Sequence, residues 1–272
     1  MIASLTHKLP EPVWRAAGAW NRRAWPYCVV AFHRIAADGE ELSYPAAAFA
    51  DLCRYWRDHY EILTLDCLLA RLAHGDAAPR PSLCITFDDG YADNAEIAAE
   101  ILDRLDLSAT FFITSAAIGN PNQFPWDRHL AAPPPLMRWE QVRALHAAGF
   151  GIGSHTATHA RLNGLSADEL ASQLTSSRAR LQAVLGTPVV DFAYPFGGLG
   201  DCDAASREAV RVAGYRCCFA CHGGLIQVQD SRYRLNRVAV SPRWHATPRA
   251  WARSYAQQLF ETSTTAMAFA YQ

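Results

Sequence analysis

The chain has 272 residues, half of them hydrophobic, and its 25 basic and 26 acidic residues nearly cancel. This size and composition predict a sizeable core in one large α/β domain or two small ones, and the balanced charge argues against a nucleic-acid partner. No run approaches the roughly 18 apolar residues that a membrane span needs. Because no apolar core precedes a small-residue cleavage site at the N-terminus, we expect no secretory signal and a cytoplasmic location.

Apolar runs and helical periodicity alternate along the chain, which predicts a single α/β domain with a parallel sheet, closed as a barrel. Strands are predicted at 28–32, 62–65, 82–87, 109–113, 150–155, 191–193, 215–220 and 233–240. Helices are predicted at 45–59, 66–74, 94–105, 139–148, 166–185, 203–213 and 248–260, the fifth opened by a Ser166/Glu169 capping box. The segment 115–135 is too long for a simple connection and is typical of a lid or a binding loop.

The two ends of the chain differ from this domain. Residues 1–26 form an N-terminal extension rich in tryptophan and arginine. Such a mixture suits an amphipathic stretch on a membrane surface, although a short helix packed on the domain has the same composition. We predict one folded domain over 27–260 and a tail over 261–272 with few apolar anchors. The oligomeric state is not indicated.

The eight cysteines do not form paired metal-binding motifs. Cys217, Cys218 and Cys221 cluster, but no second pair stands at zinc-finger spacing. Three others lie inside apolar runs, as buried reduced thiols do: Cys28, Cys53 and Cys84. This usage fits a reducing compartment.

The strand predicted at 82–87 ends in two adjacent carboxylates, Asp88 and Asp89, followed by Gly90. At the carboxyl end of a strand both side chains can turn toward one cleft, where α/β enzymes keep their reactive groups. Two adjacent acids cannot easily both be unpaired anions, so the pair implies a bound cation or a shared proton. A turn without any function has the same composition.

His155 and His159 follow the predicted strand at 150–155. On one helical turn, residues at this spacing share a face, so the two imidazoles would lie close enough to bind one metal ion. Two imidazoles and one carboxylate leave positions open for water, as catalytic metal sites do. The metal would acidify a bound water, and a second, free aspartate would take its proton. A lone histidine pair can equally serve as polar caps.

Two segments together resemble the first two motifs of the polysaccharide deacetylase family, carbohydrate esterase family 4. They read Thr86-Phe87-Asp88-Asp89-Gly90 and Ser154-His155-Thr156-Ala157-Thr158-His159. The resemblance covers about 29–240. It implies a distorted (β/α) barrel, often seven-stranded, and metal-dependent hydrolysis of N-acetyl groups on amino sugars.

The resemblance also implies roles for these residues. Asp88 would be the general base, and the metal ligands would be Asp89, His155 and His159. Zinc suits this ligand set, and cobalt or nickel would also be accepted. Ser154 and Thr156 would hold the imidazoles in place.

The third family motif is altered and reads Ala193-Tyr194-Pro195-Phe196-Gly197. Its loop can still offer the backbone N–H of Phe196 to an oxyanion, as the family's matching residue does. The arginine that orients the base is absent at Ala193, and Arg237 is the candidate replacement. The alternative is that Arg237 pairs with a surface carboxylate.

The family's late histidine, its usual general acid, has no good match here. Instead, Val29-Val30-Ala31-Phe32-His33-Arg34 resembles the first strand of a circularly permuted subgroup, in which this early histidine takes that role. The resemblance implies that His33 protonates the leaving amine. Alternatively, His33 caps a strand or packs under a lid.

Several residues near the motifs are candidate saccharide contacts, because aromatic faces suit sugar rings, although burial is the commoner fate of a large aromatic. They are Tyr91, Trp126, Asp127, Trp139 and Tyr194. We therefore predict a metal-dependent N-deacetylase acting on a saccharide. The alternatives are the same hydrolysis of another amide or an O-acetyl ester, a catalytically silent saccharide-binding module, and a membrane-surface enzyme for a lipid-linked saccharide.

Overall fold

The computed structural model describes residues 25–120, 124–130 and 132–270, with side chains up to 262. The N-terminal extension, and with it the predicted membrane contact, lies outside the described residues except for Trp25 and Pro26. Within the described part of the chain, every helix is too short or too polar to span a bilayer.

Parallel pairing joins the strands into one sheet, in the order β7-β6-β5-β4-β3-β1-β8, with β2 paired to β3 off this path. The strands are β1 (Tyr27–Phe32), β2 (Glu61–Ile62), β3 (Ser82–Phe87), β4 (Thr110–Ile113), β5 (Gly151–Ser154), β6 (Asp191–Ala193), β7 (Cys217–Phe219) and β8 (Val238–Ala239). The predicted (β/α) barrel is confirmed, with seven strands following one another around it.

The barrel closes through the segment that leads into β8. Leu235 forms a parallel bridge with Phe219 of β7, and Val238 and Ala239 pair with β1. The strand predicted at 233–240 is therefore much shorter than expected. The first part of the segment pairs with β7 and the last part pairs with β1, because this one segment spans the gap between the two strands.

Alternate residues of each strand point to opposite faces, and the clusters of buried side chains show which face is the interior. Tyr27 and Val29 of β1 join the interior cluster, together with Phe112 and Phe219. Val30 and Phe32 of β1 instead join the cluster between sheet and helices. Continuing this alternation places the next residue, His33, on the interior side of the barrel mouth, where the parallel strands end.

The seven predicted helices are present in chain order, and one short helix, Pro242–His245, was not predicted. They are α1 (Ala46–His59), α2 (Leu65–His74), α3 (Ala99–Arg104), α4 (Trp139–Ala147), α5 (Ala167–Leu185), α6 (Ala204–Val212), α7 (Pro242–His245) and α8 (Pro248–Ala270). A π-helical turn over Asn94–Ala98 leads into α3. The predicted capping box opens α5, since the Ser166 N–H donates to Glu169 Oε2 at 2.8 Å. Helix α8 extends to Ala270, beyond its predicted end at residue 260.

The described parts of the segment between β4 and α4, residues 114–120, 124–130 and 132–138, include a small cluster that packs onto the barrel mouth. Phe124 and Leu136 lie against Tyr91, and Leu136 forms a bridge with Tyr91. The cysteines of the described chain are free thiols, and Cys28, Cys53 and Cys84 are buried as predicted.

Candidate active site

Asp88 and Asp89 follow β3 at the barrel mouth and face different partners. The Asp88 N–H donates to the carbonyl oxygen of Phe32 at 2.9 Å, which extends the β1–β3 ladder by one residue. Asp89 then adopts a left-handed conformation with φ of 75°. This backbone conformation is uncommon for a residue other than glycine, and it turns the second carboxylate away from the first. Both carboxylates are buried.

Asp88 is paired with Arg237, which lies fully buried in the barrel interior. Two hydrogen bonds of 2.7 Å join the guanidinium to the two carboxylate oxygens. The same guanidinium donates to Thr86 Oγ1 at 3.1 Å and to the carbonyl oxygen of Ala220 at 3.3 Å. Burial raises the pKa of Asp88, but the charge and hydrogen bonds of Arg237, together with the neighbouring histidines, outweigh burial and hold the pKa below its ordinary value. Asp88 is therefore an oriented anion at neutral pH, and the surface ion pair considered for Arg237 is excluded.

His155 and His159 do not lie on a helical turn, so that part of our prediction was wrong. The segment after β5 is a tight turn in which Thr156 and His159 have φ of 63° and 60°. An α-helix cannot contain such left-handed residues without breaking. The turn nevertheless brings the imidazoles together, with 5.0 Å between ring centroids.

The three predicted metal ligands converge on one point. Asp89 Oδ1 lies 3.2 Å from His159 Nε2 and 3.5 Å from His155 Nε2, and all three residues are buried. Metal–ligand bonds of about 2.0–2.1 Å put tetrahedral neighbours roughly 3.3–3.5 Å apart, so these distances fit one divalent ion. Among the described residues, Asp89 Oδ1 has no hydrogen-bond partner, although it is buried. The donor set thus fits a metal with at least one position left open.

Backbone contacts and burial prepare His155 for this role. The ring Nδ1 lies 2.9 Å from the carbonyl oxygen of Ala193, which fixes the proton on Nδ1 and leaves the Nε2 lone pair for a metal. Burial lowers the pKa of His155 to about 4, so the ring is neutral at pH 7. The predicted roles of Ser154 and Thr156 were wrong. Ser154 Oγ pairs with Ser177 Oγ at 2.8 Å, and Thr156 Oγ1 has no partner among the described residues.

Phe196 lies beside these ligands on the loop after β6. Its backbone is left-handed, with φ of 63°, and Gly197 follows at 67°. A Cβ on Gly197 would lie 2.6 Å from the backbone nitrogen of Cys221, so only glycine fits here. The Phe196 ring packs edge-on against His159, 4.9 Å between centroids, and its side chain is half exposed. The altered third motif therefore still forms a tight loop against the cluster.

Comparison with known proteins places this chain in a family. A family model described as polysaccharide deacetylase matches residues 75–218, more than half of the chain. The chain belongs to the polysaccharide deacetylase family. The Bacillus subtilis protein YxkH, named for the same family, is 26% identical over 215 residues, which cover 79% of this chain and 71% of YxkH.

Solved structures share the fold of this deacetylase-family chain. The Streptococcus pyogenes deacetylase PplD in complex with acetate has a TM-score of 0.71 and 17% identity, and covers 87% of this chain and 99% of PplD. IcaB from Ammonifex degensii has a TM-score of 0.69 and 21% identity, over 85% of this chain and 98% of IcaB. At such identities the likeness establishes the fold alone. Membership in the circularly permuted subgroup stays a prediction.

His33 follows β1 and lies level with Asp88, since Phe32 pairs with Phe87. It is half-buried and lies within electrostatic range of both Asp88 and Asp89. Its carbonyl oxygen accepts a hydrogen bond of 2.8 Å from Asn94 Nδ2, which fixes the backbone at this position. His33 thus stands at the mouth of this deacetylase-family barrel, beside the proposed base.

The predicted saccharide contacts have different positions. Trp126 is half-buried, 4.8 Å from the ring of His159, and remains a candidate. Tyr91 is fully buried, donates to Asp127 Oδ2 at 2.8 Å and accepts from Trp126 Nε1 at 2.9 Å. Because Tyr91 and Asp127 are buried, they support Trp126 from behind rather than contact a sugar, which corrects our prediction.

Tyr194 and Trp139 lie away from the cluster of predicted metal ligands, so the prediction that they contact a saccharide was wrong. Tyr194 is buried in the outer layer of the barrel against Phe192, 5.1 Å between ring centroids. It points outward because it alternates with the inward-facing Ala193. Trp139 begins α4 and lies 5.2 Å below the guanidinium of Arg180 on α5. The Trp139 side chain therefore packs within the layer of helices outside the sheet.

Arg161 and Asp201 were missed by the sequence reasoning, since no motif links them. The Arg161 guanidinium lies 4.2 Å from the Phe196 ring centroid and forms an ion pair with the buried Asp201. Asp201 Oδ2 in turn accepts the Gly198 N–H at 2.9 Å. This pair therefore ties the Phe196 loop to the segment that carries His159.

We expect Arg161→Met to lower kcat roughly tenfold with little change in KM, less than the 10²–10³ cost of deleting an oxyanion donor. The loop would lose its ion pair with the His159 segment, and the Phe196 N–H, the predicted oxyanion donor, would be less well placed. Steady-state kinetics and metal content test this. Arg211→Met, which removes an exposed ion pair with Glu208, is the control. Loss of metal from the Arg161 variant would contradict the prediction.

Proposed function

We propose that this protein is a metal-dependent hydrolase that removes N-acetyl groups from an amino sugar within a saccharide. The observation that carries the proposal is the pair of adjacent carboxylates with separate partners. Asp89 joins two imidazoles in a cluster that fits one metal ion, while Asp88 is kept ionised beside it by Arg237. A ligand set next to an independent base is what metal-assisted hydrolysis requires.

In this proposal Asp89, His155 and His159 would hold a divalent ion, zinc first, with cobalt or nickel as alternatives. When bound, the ion would supply polarisation of the acetyl carbonyl and acidification of a water. The chain's own groups would transfer the protons and bind the oxyanion. Asp88 accepts the proton of the attacking water, because its carboxylate is buried, oriented and anionic. The Phe196 N–H donates to the oxyanion, and His33 protonates the departing amine.

Release of acetate from a panel of N-acetylated saccharides, with chelator and with added metal, tests the function. We expect release that a chelator abolishes and that added metal restores. Metal content measured on the same samples separates loss of the ion from loss of fold. Release from O-acetyl esters alone would replace the N-acetyl assignment. Saccharide binding without any release would favour a silent binding module.

His33→Ala should slow hydrolysis of an N-acetyl amide roughly 10²-fold but change hydrolysis of p-nitrophenyl acetate only a few-fold. An amine must be protonated before it leaves, whereas p-nitrophenolate leaves without a proton. Kinetics on both substrates measure the difference. His74→Ala is the control, since His74 is exposed near the end of α2. An equal loss on both substrates would remove His33 from the acid role.

A further inference from the structure

Two adjacent side chains after β3 hold three consecutive residues after β1. Asn94 Nδ2 donates to the carbonyl oxygen of His33 at 2.8 Å. Asp93 Oδ1 accepts the N–H of Ile35 at 3.1 Å, and Asp93 Oδ2 lies 3.2 Å from Arg34 Nε in an ion pair. Asp93 and Asn94 therefore form a clamp that contacts each of the three residues.

The clamp matters for His33 because it acts on the backbone that carries the ring. Within the described chain, the one side-chain hydrogen bond that reaches His33 ends on its carbonyl oxygen. The same peptide group is held on its other side, where the Arg34 N–H donates to the carbonyl oxygen of Leu42 at 3.1 Å. The imidazole is thus placed by a peptide group that is bound on both sides. Without the Asn94 side chain, only one of these bonds would remain.

Asn94 is fully buried, and its amide group is only half satisfied. Its Nδ2 also donates to Asp93 Oδ1 at 2.9 Å. Its Oδ1, in contrast, has no hydrogen-bond partner among the described residues. An unpaired buried acceptor destabilises a fold, and an apolar side chain at this position would avoid it. Packing therefore does not explain the asparagine, whereas the two groups that Nδ2 binds do.

The clamp belongs to the same segment as the proposed base. Asp93 and Asn94 follow Asp88 by five and six residues. Between them, the Asn94 N–H donates to the carbonyl oxygen of Tyr91 at 3.1 Å, and the Ala99 N–H donates to that of Asn94 in the π-helical turn. Widened turns of this kind are frequent at functional sites. The segment that carries the base therefore also carries the side chains that hold His33.

Arg34 fixes the outer side of the clamp. Its guanidinium donates to Asp38 Oδ2 at 2.6 Å and to Ser43 Oγ at 3.1 Å. It also lies 5.5 Å from the centroid of the Tyr91 ring. The cation that pairs with Asp93 is thus itself held in place, which keeps this carboxylate in position to accept the backbone N–H.

We propose that Asp93 and Asn94 are positioning residues that set the distance between the imidazole of His33 and the carboxylate of Asp88. The inference rests on the proposed function, in which Asp88 takes a proton from water and His33 gives one to the departing amine. Proton transfer requires heavy atoms about 2.6–3.2 Å apart, so a small displacement of the imidazole lowers the rate. The clamp does not touch the reacting atoms and acts only through His33.

Asn94→Ala should lower kcat for hydrolysis of an N-acetyl amide roughly tenfold with KM nearly unchanged. Hydrolysis of p-nitrophenyl acetate should stay within about twofold, because only the amine needs the proton from His33. In the His33→Ala background the same substitution should have no further effect, since no imidazole remains to be positioned. Steady-state kinetics on both substrates, metal content and denaturant unfolding are the measurements.

Two further variants complete the experiment. Asp93→Asn keeps an acceptor for the Ile35 N–H and should show the same selectivity with a smaller loss, so it carries the test if Asn94→Ala does not fold. Gln182→Ala is the matched control. Gln182 Oε1 accepts the Val189 N–H at 3.0 Å and so also fixes a backbone group, but ahead of β6, at the amino end of the barrel. Its loss should leave both rates unchanged.

The outcomes separate this inference from the proposed function. An equal loss on both substrates in Asn94→Ala, or a further tenfold loss in the His33→Ala background, would overturn the inference and leave deacetylation intact. Full amide activity in Asn94→Ala and Asp93→Asn would do the same. A wild type that releases no acetate from any N-acetylated saccharide would instead remove the proposed function, and the inference with it.

Discussion

Replacing Asp88 by asparagine should lower kcat roughly 10²–10⁴-fold while bound metal is retained. The amide has nearly the shape of the carboxylate but cannot take a proton from water. The metal ligands Asp89, His155 and His159 are separate side chains and keep their convergence. Acetate release from an N-acetylated oligosaccharide and metal content per chain are the two measurements.

The control for this variant is Asp191→Asn. Asp191 is also a buried carboxylate held by two hydrogen bonds from one arginine, Arg216, at 2.7 and 2.9 Å. It begins β6, at the amino end of a barrel strand and thus at the opposite end from the proposed site. Asp191→Asn should lose stability without a specific loss of kcat. Near-normal turnover in Asp88→Asn would show that another group is the base.

Arg237→Met should destabilise the fold by about 3–5 kcal/mol, because it leaves the buried Asp88 carboxylate unpaired. In the wild type the folded-state pKa of Asp88 lies below its unfolded value. The ion pair therefore makes its full contribution to the free energy of unfolding above the unfolded pKa of about 3.9. This contribution is lost as pH falls through the folded pKa. Denaturant unfolding at pH 7 and at about pH 3 measures the loss, which should be smaller at the lower pH because that pH lies below the unfolded pKa.

The same variant should alter the pH dependence of the reaction. Without Arg237, the largest influence that lowers the pKa of Asp88 is lost and burial raises this pKa, so the acid limb of kcat/KM moves to higher pH. Arg237→Lys should give an intermediate shift, since an ammonium cannot form both 2.7 Å contacts at once. Arg216→Met is the matched control, for which the acid limb should not move. An unmoved limb in Arg237→Met would count against Asp88 as the base.

Local sequence patterns were sufficient for most of the secondary structure. Alternating apolar runs and helical spacing predicted the strands and helices in their order, because these periods reflect which face of each element is buried. The long segment before α4 was also predicted to contribute to the site, and Trp126 does lie against His159. The length of the strand predicted at 233–240 was overestimated. An apolar pattern does not reveal that a segment pairs first with one neighbouring strand and then with another.

The site was predictable where it depends on motifs and unpredictable where it depends on distant partners. Asp88, Asp89, His155 and His159 stand at strand ends, and parallel strands bring such ends to one edge. Arg237 was only a candidate, because 149 residues separate it from Asp88. The carbonyl of Ala193 behind His155, and the ion pair of Arg161 with Asp201, have no sequence signal, since any residue has a carbonyl and surface charges are common.

The sequence by itself determined the alternating α/β order, the family resemblance and the four residues at the centre of the proposed chemistry. Only the tertiary structure decided that Arg237 holds Asp88 and that the side chains predicted as saccharide contacts are mostly packed away from the open side of the site: Tyr91, Asp127, Tyr194 and Trp139. The physical reason is the range of the interactions. Periodicity and turn chemistry act within a few residues, whereas ion pairs and cavity walls form only after barrel closure has set strand neighbours and register.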